Sequence, residues 1–221
     1  MQSFTTTAPI TTTIDIPAGR VQLIAADRAD TTVEVRPADP GKNRDVTLAQ
    51  ETTVEYADGV LRIQAPTRKN HILGPSGAVE VTVQLPADSR VEATTASADF
   101  RVVGRLGDLT YTSAHGPIKI DEAAQVHITS QASDITLGRV TGDAEVSTAK
   151  GDITITEAVG GTVTLRADAG NLTVGAAAGV SATLDAGTRY GRIRNTLANT
   201  GDTQLDIHAT TSYGDITARS L

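Results

Sequence analysis

The second half of the chain repeats one short pattern of apolar and polar positions. A small residue is followed by Asp or Asn, then by a large apolar residue, a polar residue and a second apolar residue. The clearest copies are Gly151-Asp152-Ile153-Thr154-Ile155 and Gly214-Asp215-Ile216-Thr217-Ala218. Alternation with a period of two is typical of a β-strand with one buried face. The pattern therefore predicts an all-β fold.

Seven copies of the pattern can be aligned on the Asp position, with spacings of 18, 17, 18, 19, 21 and 23 residues. The aligned residues are Asp99, Pro117, Asp134, Asp152, Asn171, Arg192 and Asp215. A second alternating stretch precedes each copy, as at Val126/Ile128 and Val163/Leu165. A repeat this short cannot bury its own apolar face, so it must stack on its neighbours. The sequence predicts a single-stranded, β-helix-like β-solenoid with rungs of about 18 residues.

The corners of this solenoid are expected at the Gly-Asp pairs. Glycine allows the positive φ that a tight corner requires, and the Asp carboxylate accepts a backbone N–H in an Asx-type turn. With the repeats stacked in chain order, the last strand, Ile216-Thr217-Ala218, becomes an exposed edge. We expect that edge to be either a cap or a place where a partner adds a strand.

Residues 1–95 contain less regular strands, and Asp58-Gly59 is a strong signal for a hairpin. The stretches 36–45 and 67–77 are polar and rich in Pro and Gly, which predicts loops, and helical periodicity is absent throughout. We interpret residues 1–95 as opening rungs and a cap, and 96–221 as the seven repeats. Together they form one predicted domain, residues 1–221.

Composition supports a thin, strand-rich body. Hydrophobic residues make up 39% of the 221 residues, but aromatic residues only 3%, so small and β-branched side chains must fill the core. The chain has no Cys, which excludes disulfides and Cys-ligated zinc. A net charge of −7 without a basic stripe argues against nucleic acid as a partner.

The sequence also predicts where the protein is found in the cell. No apolar run approaches the roughly 20 residues of a transmembrane segment. The first residues, Met1 to Thr7, lack the basic and apolar regions of a secretory signal. These observations predict a cytoplasmic location.

The column of Asp residues is a candidate calcium site, because stacked carboxylates offer oxygen ligands. The column is interrupted by Pro117, Asn171 and Arg192, and the G-G-x-G-x-D signature of calcium-binding solenoids is missing. Capping of turns is the preferred interpretation. The four His residues share no ligand spacing, and no triad pattern is visible. We therefore predict no catalytic, cofactor-binding or metal-binding residue, and no enzyme.

At one position of the repeat, the residue type becomes constant in the last two copies. The position two residues before the Asp column varies freely until Tyr190 and Tyr213, which a solenoid places on adjacent rungs about 5 Å apart. Such rings either cover the last turns or form a patch that contacts a protein or a sugar. With the nearby Arg192 and Arg194, they form the candidate interaction patch. No other residue is proposed for binding.

The second apolar position of the pattern is lost in the same two repeats. Asn195 and Ala218 occupy it, where the earlier repeats have Val, Ile or Leu. The core is therefore expected to taper toward this end of the solenoid.

Together these motifs resemble a known bacterial family. The repeated G-D-I-T phrases, the opening Ile14-Asp15-Ile16-Pro17-Ala18-Gly19 and the closing Thr211-Ser212-Tyr213-Gly214-Asp215 are similar to the β-strand-repeat family called "putative adhesin", or toastrack domain. The sequence looks like an actinobacterial, soluble version. The resemblance implies the fold, but no catalytic or ligand residues. Relatives fused to phage-shock-type membrane segments imply scaffolding in envelope stress.

Three functional hypotheses remain open from the sequence. The first is a non-enzymatic scaffold or protein-interaction module, which binds an unknown protein partner or forms a homo-oligomer through a solenoid face or the C-terminal edge. The second is an exported adhesin or carbohydrate-binding module. The third is an enzyme that acts on a polysaccharide. Fold alone does not decide between them.

Overall fold

A computed structural model describes residues 1–66 and 77–221. The predicted loop at 67–77, with His71, lies outside the described residues except for Gly77. The described chain forms one helix and seventeen strands: β1 (Gln2–Thr5), β2 (Thr11–Ala26), β3 (Asp30–Pro37), α1 (Asn43–Glu51), β4 (Thr53–Ala57), β5 (Val60–Gln64), β6 (Val79–Pro86), β7 (Arg90–His115), β8 (Ile118–Ala132), β9 (Ile135–Val140), β10 (Ala144–Lys150), β11 (Ile153–Ala158), β12 (Gly161–Ala169), β13 (Leu172–Ala176), β14 (Ala182–Tyr190), β15 (Ile193–Thr196), β16 (Leu205–Tyr213) and β17 (Ile216–Ser220).

The repeats stack in parallel as two series of strands. In one series the order is β8, β10, β12, β16 and β14. In the other it is β8, β9, β11, β13, β17 and β15. The long strand β8 contributes to both series, because its first part pairs with β9 and its last part with β10. The strand β7 pairs with β8 along both parts. This arrangement is a β-solenoid, as the sequence predicts.

The residues aligned in the sequence pair in register. Phe100 pairs with Ile118, Ile118 with Ile135, and Ile135 with Ile153. Their side chains are at most 1% exposed and form the column along the core. Two of the scarce aromatic residues, Phe100 and Tyr111, are buried in this core. Phe100 stacks on Tyr111 with ring centroids 4.1 Å apart, and burial raises the pKa of the Tyr111 phenol.

The order of the last two rungs is the main departure from the sequence-based prediction. β17 lies between β13 and β15, and β16 lies between β12 and β14. The final segment of the chain is therefore inserted into the stack, and β14 and β15 form its end. The prediction that Ile216-Thr217-Ala218 is an exposed edge is wrong, because this strand has a neighbour on each side.

The polarity of inward positions explains this order. β17 carries Ile216 and Ala218 at its two inward positions, so it can be covered on both sides. β15 carries Asn195 at the position equivalent to Ala218. Burying an amide without partners costs about 1–3 kcal/mol, whereas at the end of the stack Asn195 is exposed to water.

In the N-terminal part, too, the strands do not stack in chain order. β2 lies inside the stack, with β7 on one side and β5 and β6 on the other. The strands β4 and β5 form the antiparallel hairpin predicted at Asp58-Gly59, and both turn residues have positive φ. Beyond β6, the antiparallel strands β3 and β1 close this end. Strands that follow β2 in the chain therefore pair with both of its edges.

The helix α1 was not predicted. Residues 36–45 were expected to form a loop and helical periodicity was absent, yet Asn43–Glu51 is helical. Only Asp45 and Leu48 are buried in this helix, so its nine residues show too little apolar periodicity to be recognised. The Asp45 carboxylate accepts the N–H of Ala78 at 3.0 Å and ties the helix to the start of β6.

Candidate functional site

A ladder of side-chain to backbone hydrogen bonds runs along the predicted Asp column. Asp134 accepts the N–H of Asp152 at 3.0 Å, and Asp152 accepts the N–H of Asn171 at 2.7 Å. Asn171 accepts the N–H of Asp215, and Asp215 accepts the N–H of Arg192, both at 2.9 Å. Each acceptor thus holds the next rung. The predicted Asx-type turn within one corner is wrong, because these bonds join neighbouring rungs.

The ladder ends at Arg192, whose side chain has no acceptor atom. Its guanidinium turns back to the Asp215 carboxylate, with 3.2 Å between Nη2 and Oδ2. The backbone N–H of Arg192 and its guanidinium lower the pKa of Asp215, and the charge of Arg194 adds to the effect. Among the described residues, no group of three or more His, Cys, Asp or Glu is arranged to hold a metal ion.

We refer to β14 and β15, together with Tyr213 beneath them, as the open end. The Tyr190 and Tyr213 rings stack there, with centroids 5.0 Å apart and planes within 7° of parallel. They are 61% and 57% exposed, respectively. The stacking expected from the repeat columns is therefore present, and its position is the last corner of the solenoid. Their role as an interaction patch stays a prediction.

Ile193 is the member of the open end that sequence reasoning missed. Its column is buried on every earlier rung, and its neighbour Ile216 is 1% exposed, yet Ile193 is 45% exposed. Nothing covers it, because β17 is the only strand that pairs with β15 in the described part of the chain. The signals that mark this rung as the last are Arg192 in the Asp column and Asn195 in the apolar column.

The structure brings all four predicted patch residues to the open end. Tyr190 ends β14, Arg192 lies in the corner, and Arg194 is on β15, while Tyr213 supports the Tyr190 ring from the next rung. Arg189 adds a further exposed cation on β14. The result is a basic and aromatic surface beside an unpaired strand edge.

A shallow concavity of about 430 Å³ is an alternative candidate site on the described surface. It lies across β7, β8 and β10 and is lined by Arg90, Asp108, His127, Asp143 and Glu145, among others. Its charged groups are already engaged: Arg90 lies 3.9 Å from Asp108, and His127 lies 3.4 Å from Glu145. These side chains are about half exposed, which is typical of solvated surface pairs.

The fold and the open end define the class of protein: a β-solenoid whose last rung is left uncovered. The chain belongs to the Toastrack DUF4097 family, whose sequence model matches residues 12–220. No curated protein matches the sequence. In the described residues, no helix is long and apolar enough to cross a membrane.

Solved structures of bacterial proteins are similar to this chain at low sequence identity. A "putative adhesin" from Parabacteroides merdae is 11% identical, with 100% of this chain and 95% of that chain covered and a TM-score of 0.51. A "putative adhesin" from Bacteroides fragilis is 13% identical, with 98% and 95% covered and a TM-score of 0.45. A "putative lipid binding protein" from Parabacteroides distasonis is 13% identical over 98% and 95%, with a TM-score of 0.46.

The contact between Asp215 and Arg192 leads to a prediction for low pH. A carboxyl group whose pKa is lowered by folding stabilises the folded state above its unfolded pKa of about 4. That contribution is lost as the pH falls through the lowered, folded pKa. We therefore expect protonation of Asp215 to loosen β15, seen as faster hydrogen exchange at the Arg192 amide than the change in intrinsic exchange rate explains.

The substitution Arg192→Ala separates the two causes of this pKa shift. It removes the guanidinium but keeps the backbone N–H, which is the largest cause. An NMR titration is expected to show the Asp215 pKa rising toward its ordinary value without reaching it. An unchanged Asp215 titration midpoint would contradict the role of the guanidinium.

Proposed function

We propose that this protein is a non-enzymatic β-solenoid scaffold that binds a protein partner through its open end. The observation that carries the proposal is the uncovered last rung, where two stacked, exposed tyrosines lie beside two arginines. Tyr and Arg are enriched among the residues that dominate binding energy at protein interfaces. The same rung leaves Ile193 half exposed, although its column is buried elsewhere. A bound partner would cover both features.

The rest of the solenoid serves in this proposal as a rigid support. The Asp ladder and the in-register core fix the corner that presents Tyr190, so little ordering is needed when a partner binds. The charged groups in the concavity on β7, β8 and β10 already have partners: Asp108 lies beside Arg90, Glu145 beside His127, and Asp143 accepts the N–H of Thr162. This supports a protein without catalytic activity. In this proposal the scaffold acts in the cytoplasm, and the resemblance to relatives fused to phage-shock-type membrane segments supports a link to envelope stress.

An exported adhesin or carbohydrate-binding module is the second candidate. The observation that favours it is the exposed face of Tyr190, because aromatic rings also stack on sugar rings and arginines pair with acidic sugars. The description of the Parabacteroides merdae protein as a "putative adhesin" agrees with this candidate. Location separates the two: native protein found outside the membrane would favour the adhesin.

Site-specific photo-crosslinking in the native bacterium tests the scaffold proposal. A photoreactive phenylalanine analogue is placed at Tyr190 and, as a control, at Thr136, an exposed residue on β9 in the interior of the stack. We expect protein adducts from position 190 and none from position 136. Equal adducts from both positions, or no adducts at all, would overturn the proposal. Release of product from a panel of polysaccharides by the purified protein would also overturn it.

A further inference from the structure

The backbone of β15 is open to a further strand. Ile193 pairs with Ile216 in a parallel ladder, and the Ile216 N–H donates to the Arg192 carbonyl at 2.9 Å. In a parallel ladder, successive residues of a strand direct their N–H and C=O groups to opposite sides. Because the groups of Arg192 face β17, the N–H and C=O groups of Ile193 point away from it. Unpaired groups of this kind are a template for another chain.

The side chains of β15 would select that chain. Ile193 extends the apolar core column and remains 45% exposed, so it offers an apolar contact to whatever lies beside it. Arg192 and Arg194 flank it on the outer surface, and both are exposed. A strand placed against β15 would therefore meet a basic, an apolar and a basic position in succession.

Charge at this end contrasts with the rest of the molecule. The chain as a whole carries −7, but between Asp185 and Asp202 there are three arginines and no acidic residue. Asp215, in the corner before β17, is paired with Arg192. The open end is thus a local basic surface, and it will attract acidic groups and repel basic ones.

We propose that the open end binds an extended acidic peptide segment of a partner protein, which adds as a strand to β15. This inference rests on the proposed function and names the chemistry of the partner. The segment has the pattern acidic–apolar–acidic, with the apolar residue opposite Ile193 and the acidic residues opposite Arg192 and Arg194. The pattern is the same in both directions, so it holds for a parallel or an antiparallel strand.

A second copy of the chain or an acidic sugar would match fewer features of the open end than an acidic strand does. A second copy joined through the same end would bring the arginines of the two molecules together, and like charges that face each other are destabilising. An acidic sugar would pair with the arginines and stack on Tyr190. It would leave the peptide groups of β15 and the apolar side chain of Ile193 unused. An acidic strand satisfies the backbone, the apolar column and the charge together.

The test uses the full chain and a blocked peptide, acetyl-Thr-Tyr-Gly-Glu-Val-Glu-Val-Thr-amide, titrated to about 1 mM by calorimetry. We expect binding that weakens as salt rises from about 0.05 to 0.5 M. Arg194→Glu is expected to weaken binding at least tenfold. Arg166→Glu makes the same charge change on an exposed residue of β12, and it should leave affinity within twofold. Circular dichroism confirms that both variants fold.

Methylated peptides test whether the peptide adds as a strand. In a parallel strand the N–H of the second Glu bonds to β15, and in an antiparallel strand that of the first Val does so. Methylation of one of these two nitrogens should therefore abolish binding, while methylation of the other is tolerated. A peptide that tolerates both modifications, or a version with Lys for Glu that binds equally well, overturns the inference.

Three further outcomes also overturn the inference: no binding at 1 mM, tighter binding of an oligogalacturonide than of the peptide, or self-association through the open end in sedimentation equilibrium. The proposed function can survive such a result. If position 190 crosslinks to a protein in cells while the peptide does not bind, the inference fails and the scaffold stands.

Discussion

Replacing Ile216 with Ala is expected to destabilise the protein by about 2–5 kcal/mol, the usual cost of truncating a buried Ile. Ile216 is 1% exposed and lies between Leu172 and Ile193 in the core column. For a protein of this size, each kcal/mol lowers the melting temperature by about 2–4 °C. Thermal unfolding should therefore show a decrease of roughly 5–20 °C.

Ile193→Ala is the matched control, because Ile193 occupies the same column one rung further out. Its side chain is 45% exposed, so its removal should cost about 1 kcal/mol or less. If the rungs followed chain order, the two effects would be reversed, with Ile193 inside the stack and Ile216 at its end. A larger loss of stability for Ile193→Ala than for Ile216→Ala would contradict the inserted position of β17.

Hydrogen exchange resolves the same comparison strand by strand. In a stack of repeats, each rung is stabilised mainly by its neighbours. Because β15 rests on β17, Ile216→Ala should lower the protection of amides in both strands. Ile193→Ala should affect β15 and leave β17 protected by β13. This pattern would show that the final segment of the chain holds the last rung in place.

The repeat columns were sufficient to predict the solenoid, but they could not predict the order of its rungs. In-register parallel stacking places Ile193 beside Ile216 in either order, so the alternating pattern is satisfied both ways. The information lies in the exceptions: Arg192 cannot extend the ladder, and Asn195 cannot be buried without cost. Read together, these two residues identify the rung that ends the stack.

The stacking of the tyrosines was also predictable, because it depends only on two adjacent rungs. The exposure of Ile193 was not, because it follows from what lies beyond its rung. The helix at Asn43–Glu51 could not be predicted from the sequence pattern, for a different reason. It buries only Asp45 and Leu48, and tertiary packing rather than local periodicity keeps such a short helix folded.

Replacing Gly214 with Ala is expected to cost about 3 kcal/mol or more. A Cβ at this corner would lie 2.0 Å from the carbonyl oxygen of Gly170, and the residue has a φ of +150°. A strained backbone conformation costs about 1–3 kcal/mol, and forced overpacking in a rigid environment costs a similar amount. The neighbouring atom belongs to the backbone of the next rung, so it cannot move without breaking the ladder. The expected result is a large decrease in thermal stability.

Gly187→Ala provides the matched control on β14. A Cβ there would meet nothing within 4 Å, and the residue does not have a left-handed φ. The substitution should be neutral, or stabilise the protein by up to about 1 kcal/mol by restricting the unfolded chain. The contrast tests the close approach of stacked corners, because a Cβ at Gly214 would meet the backbone of the neighbouring rung and a Cβ at Gly187 would meet nothing. A Gly214→Ala variant as stable as Gly187→Ala would contradict this close approach.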